Sequence, residues 1–156
     1  MATIRCVFIG DGAVGKSTIL SKMSKRTHPV APTIGVDNIL FEYKKIQFQC
    51  WDTSGSPQFG AVVDLFKRKT QYKVYVYDTS RPATFNIEKV GDSIIVANIR
   101  ENKPPLGENH IVVDIRMPET IQTLLNLMTT TFEIEEQILG NDGRECYNQR
   151  ECCTCF

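Results

Sequence analysis

Gly10-Asp11-Gly12-Ala13-Val14-Gly15-Lys16-Ser17 carries the densest chemistry in the chain. The run follows G-x-x-x-x-G-K-[ST], a pattern with a physical basis in phosphate binding. Glycines let successive backbone N–H groups turn inward around an anion, where bulky side chains would obstruct them. Lys16 has the charge and reach for outer phosphates, and the Ser17 hydroxyl is of the type that coordinates Mg²⁺. Thr18 continues into a helix N-terminus, whose partial positive charge favours the same ligand. A Gly-rich turn could match this pattern by accident, so the flanks matter. Residues 4–9 are an apolar, strand-like run, and residues 18–23 read as a helix start.

Strands are expected near residues 4–9, 38–43, 46–51, 73–77, 93–98 and 110–113. Helices are expected near 16–25, 59–69, 83–90 and 118–139. Pro118 suits the first turn of the last helix and Gly140 its end. Lys44-Lys45 allows only a tight turn, so the strands around it form an antiparallel pair. The remaining alternation predicts an α/β fold with a mostly parallel sheet of about six strands flanked by helices. The chain of 156 residues divides into an expected domain over 1–139 and a polar, Cys-rich tail over 140–156.

Lys+Arg and Asp+Glu both number 18, so no overall field draws nucleic acid or an anionic membrane. No apolar run is long enough for a bilayer span, the N-terminal run is too short for a signal peptide, and Ala2 stands where myristoylation needs Gly. Cys6 and Cys50 lie in strand-like runs and read as small buried hydrophobes, whereas Cys146, Cys152, Cys153 and Cys155 crowd the end of the chain. That distribution fits a cytoplasmic protein better than a disulfide framework.

Two later segments narrow the field of phosphate-binding folds. Pro32-Thr33-Ile34-Gly35-Val36-Asp37 precedes a strand, and Trp51-Asp52-Thr53-Ser54-Gly55 ends the next. With the first loop they resemble the Ras superfamily of small GTPases. Thr-Ile-Gly-Val-Asp is Rab-like, and Gly-Asp-Gly-Ala-Val-Gly-Lys is more Rho-like. The resemblance is close over residues 3–60, looser through Val76-Tyr77-Asp78-Thr79-Ser80-Arg81-Pro82, and thin beyond. It implies the G domain of P-loop NTPases, with GTP/GDP and Mg²⁺ as cofactors. It gives Thr33 contacts with Mg²⁺ and the γ-phosphate, Asp52 a water-mediated hold on Mg²⁺, and the Gly55 N–H a bond to the γ-phosphate. Read alone, Thr33 is equally a β-branched residue entering a strand, and Asp52 a turn residue. His28 lies close to the position where the family stacks an aromatic on guanine, although a solvated loop histidine fits it as well. The implied partners are effectors at the switch regions (residues 30–38 and 52–59), an exchange factor and a GTPase-activating protein.

Three departures qualify this reading. Ser56-Pro57 follows Gly55 where the family has a water-positioning Gln, as in the GTPase-deficient Rnd subgroup of Rho-like proteins. Serine is too short for that task, and Pro57 biases Ser56 to extended geometry. Gln58 is a weaker substitute, aimed differently from the loop. Gly12 argues the other way, because it leaves room for an arginine from an activating protein. Second, Asn98-Ile99-Arg100-Glu101 stands in place of Asn-Lys-x-Asp, keeping Asn98 and giving Glu101 the place of the guanine-binding aspartate. The family's Ser-Ala-Lys is replaced by Asp114-Ile115-Arg116. Third, the segment between the fifth and sixth strands is too short and Pro-rich for a helix, so at least one family helix is missing. A chain that has diverged from guanine contact and a variant that has lost segments both fit this shortening.

Cys152-Cys153-Thr154-Cys155-Phe156 closes the chain. Cys153 heads a C-a-a-X prenylation pattern, and Cys152-Cys153 alternatively resembles a Rab-like double site. Stable anchoring takes two signals, which brings in Cys152 or Cys155 as a second lipid site. Zinc binding and an inert tail are the lesser readings. The sequence thus predicts a switch attached to the cytosolic face of a membrane through a prenyl transferase, acting in trafficking or signalling with impaired hydrolysis. The alternative is a nucleotide-locked or nucleotide-free pseudo-GTPase, and a P-loop enzyme of another nucleotide is the third reading.

Overall fold

The computed structural model describes residues 2–26 and 33–141, with the side chains of residues 140 and 141 set aside. Apolar runs in the first half form β1 (Thr3–Ile9), β2 (Val36–Tyr43), β3 (Ile46–Thr53) and β4 (Tyr72–Asp78). β5 (Ile94–Asn98) and β6 (Ile111–Val113) complete a six-stranded sheet in the order β2-β3-β1-β4-β5-β6. β2 and β3 are antiparallel, and every other pairing is parallel. Lys44 and Lys45 both take left-handed backbone to close the β2–β3 hairpin, the twist a two-residue turn requires. β1 and β4 are buried almost throughout, as central parallel strands covered on both faces must be.

Helices α1 (Lys16–Met23) and α4 (Pro118–Asn141) cover one face. Ile19, Leu20 and Met23 meet Leu124, Met128 and Phe132 there, over Ile4, Phe8 and Phe48 of the sheet. The other face packs Val7, Tyr75, Tyr77 and Ala97 under α2 (Gly60–Lys69), which contributes Val63 and Phe66. Cys6 and Cys50 are fully buried register partners on β1 and β3, as expected of small hydrophobes. α4 begins at Pro118 as expected and continues one residue past Gly140.

The expected helix over 83–90 is not continuous. A 3₁₀ turn, Pro82–Thr84, is followed by extended Phe85 and Asn86 and then a single turn, α3 (Ile87–Val90). The cause is the buried Tyr75 hydroxyl. It donates to the Thr84 carbonyl at 2.9 Å and accepts the Asn86 N–H at 3.0 Å, backbone groups that an unbroken helix would use internally. The Asn86 side chain then accepts the Glu88 N–H and caps the short turn. Residues 99–110 hold no helix, as their prolines and length predict. Leu106 in that stretch and Val112 just after it are exposed, so the face is thinly covered there.

Candidate functional site

The strand-to-helix turn after β1 places residues 10–17 at the C-terminal edge of the parallel sheet, the edge where such folds bind ligands. Lys16 is 95 % buried and donates to the carbonyls of Gly10 and Asp11 at 2.9 and 2.7 Å, so its stem spans the loop it belongs to. Burial pushes its pKa down to about 8, against the opposing pull of Asp52 and Asp11. A buried ammonium whose hydrogen bonds among the described residues go to neutral carbonyls gains strongly from an anionic ligand. Ala13 has left-handed backbone at the crest of the loop. Gly15 has φ of +100°, and a Cβ there would lie 2.3 Å from the Asn98 amide nitrogen. The loop and the end of β5 therefore fit only with glycine at that position.

Three oxygens from three segments converge beside the loop. The Ser17 hydroxyl and the Thr33 hydroxyl both donate to Asp52 Oδ2, the latter at 2.7 Å, and lie 3.0 Å from each other. Asp52 is buried, yet its Oδ1 has no hydrogen-bond partner among the described residues. A buried carboxylate oxygen without a partner is costly. Two hydroxyls around a carboxylate are also the hard donors that Mg²⁺ prefers, and Mg²⁺ usually keeps waters and takes the rest from substrate phosphates. The residues present fit that ion. Gly55 packs directly on the loop, where a Cβ would come within 2.2 Å of the Gly12 nitrogen. Lys16, Ser17, Thr33 and Gly55 line one cavity of about 490 Å³, within the range of small-molecule sites, and Asp52 lies behind the two hydroxyls.

Ser56 lines the same cavity in extended backbone, as Pro57 predicts, while Gln58 is exposed and outside the lining. Gly12, Ala13, Gly15, Lys16, Ser17 and Thr18 all border the cavity. Gly10 and Asp11 approach it through the carbonyls that hold Lys16, and Val14 faces the core. Asn98 is fully buried and donates to the Val14 carbonyl at 2.8 Å, which ties the end of β5 to the loop. Glu101 is exposed with left-handed backbone and lies outside the described lining. Asp114 is paired with Arg116, whose hydrogen bonds hold its carboxyl down to about 2. His28 and the four C-terminal cysteines lie outside the described residues.

The sequence reading missed three residues at this edge. Asp78 ends β4 and is buried, and it accepts Arg81 Nε at 3.0 Å and faces Arg100 at 3.6 Å. Arg81 in turn donates to the Ala13 carbonyl at 2.8 Å. Burial alone would raise the Asp78 pKa, but bonds from Ser80 and Arg81 outweigh it and hold the carboxyl below its usual range. Arg100 lines the cavity. A signal was available: Asp78 and Asn98 are register partners, so the turns that follow them share the ligand edge.

The model of the Ras family matches residues 5–113. The chain is 41% identical over 159 residues to the Ras-related protein RABA6b of Arabidopsis thaliana, covering 90% of this chain and 69% of that protein. It is 35% identical to the Ras-related protein Rab-7B of Dictyostelium discoideum over 82 residues, which is 52% of this chain and 42% of the relative. It is 31% identical over 116 residues to the GTP-binding protein ypt3 of Schizosaccharomyces pombe, covering 65% and 54%. Against relatives such as Rab-7B and ypt3 the chain spans about half of their length.

Proposed function

This chain belongs to the Ras family, and on that premise we propose that it is a Rab-like, GTP-binding switch whose triphosphate state is long-lived. The observation that carries the reading is the meeting of Ser17, Thr33 and Asp52 beside a buried Lys16 whose ammonium donates to the Gly10 and Asp11 carbonyls. Thr33 lies in one switch region and Gly55 in the other, so a ligand reaching both from the loop would order both. When bound, Mg²⁺ would neutralise phosphate charge, held by the Ser17 and Thr33 hydroxyls with Asp52 behind them. Lys16 would meet the outer phosphates, and the loop N–H groups would wrap the rest. Ser56 cannot orient a water as a longer amide side chain could, which supports slow hydrolysis.

Effectors would read the ordered switch regions, with an exchange factor and an activating protein resetting them. Lipids on Cys153 and on Cys152 or Cys155 would hold the protein on a cytosolic membrane face, in vesicle trafficking. The site test is an equilibrium titration with a fluorescent GTP analogue, with and without Mg²⁺. Wild-type affinity should rise at least about tenfold with Mg²⁺, and Asp52→Asn should lose most of that increment. An affinity indifferent to Mg²⁺ in both proteins would count against the reading.

A further inference from the structure

Among the described residues, the aspartates around the ligand edge already have partners. Asp52 serves the hydroxyl pair, Asp11 faces Lys89 at 3.1 Å, and Asp114 is bound to Arg116. Asp78 is shared by Arg81 and Arg100, and Glu101 is exposed and is not one of the residues that line the cavity. The charged side chains that do line the cavity, among the described residues, are Lys16 and Arg100. Both are cations, and both only donate hydrogen bonds. Guanine differs from hypoxanthine by its exocyclic N2 donor, and from adenine also at N1 and the 6-position; reading the N1 and N2 donors together takes an acceptor, best a carboxylate. The wall offers charge for phosphate and no carboxylate for the base.

Resting on the reading above, we infer that this site selects its ligand by phosphate charge rather than by base. Asp78 anchors both parts of the device. It fixes Arg81, a positioning residue that holds the Gly12 and Ala13 carbonyls outward at 3.4 and 2.8 Å, leaving the loop N–H groups for the ligand. It also steadies Arg100, whose guanidinium stands beside Gly15, where a Cβ would lie 3.4 Å from it. Purine triphosphates with different base edges therefore bind alike.

The test is competition of GTP, ITP and ATP against a fluorescent GTP analogue on the full chain with Mg²⁺. The three should compete within about tenfold of one another, less than one charge-assisted hydrogen bond would impose. Arg100→Ala should weaken all three by a common factor of about ten or more, and Arg100→Lys should recover part of it. Arg81→Ala should likewise weaken all three without changing their ratios. A preference for GTP over both ITP and ATP of about a hundredfold or more would overturn this inference alone. So would an Arg100→Ala protein that loses GTP but keeps ATP. Failure of any triphosphate to compete would overturn both this inference and the switch reading.

Discussion

At the scale of single residues, Lys16 is the most consequential group. Its folded pKa is lowered from 10.5 to about 8, so the unfolded chain holds a proton more tightly than the folded one. Folding without ligand is therefore disfavoured by Lys16 below about pH 8, and that penalty fades as pH rises toward 10.5. A phosphate ligand reverses the balance by stabilising the ammonium. Binding should take up protons around pH 8, and affinity should fall as pH climbs from 7 to about 9.5. Calorimetry in buffers of different ionisation enthalpy reads this uptake directly, and Lys16→Met should abolish it along with most of the affinity. The loop glycines, Lys16 and Ser17 were legible from residue type and spacing, whereas Thr33 and Asp52, ambiguous when read alone, were picked out by the family resemblance of their segments. Asp78, Arg81 and Arg100 were not, because an arginine near a strand end is most often solvated. Only the register between β4 and β5 brings these residues together.

At the scale of elements, strands were read within a residue or two because β1 and β4 are apolar on both faces. The broken helix before β5 was illegible, since its cause lies in another strand. Tyr75 is fully buried, and its hydroxyl occupies the gap between the 3₁₀ turn and α3. Tyr75→Phe removes both bonds and leaves the Thr84 carbonyl and Asn86 N–H to find other partners. The expected loss is about 1–3 kcal/mol of stability, seen as a lower denaturant midpoint with an unchanged slope. Full wild-type stability in the phenylalanine variant would show that the break arises from the short crossover alone.

At the scale of the molecule, charge balance and membrane attachment are separate matters. Arg144 and Arg150 each stand beside a glutamate, Glu145 and Glu151, so no basic patch next to the cysteines supplies the second anchoring signal. Two lipids should therefore be found on the C-terminal cysteines when the chain is made in a prenylating cell, as intact-mass spectrometry would show. A single lipid with stable membrane association would contradict that arithmetic. The bound nucleotide itself reports on both the proposed phosphate reading and the proposed slow hydrolysis. Protein purified gently with Mg²⁺ should carry nucleoside triphosphate, and chromatography of the extracted ligand over hours should show it persisting. Ser56→Gln, which restores an amide of suitable length, should convert its ligand to diphosphate faster by at least about tenfold. Wild-type protein that yields only diphosphate, or that hydrolyses as fast as Ser56→Gln, would contradict the account.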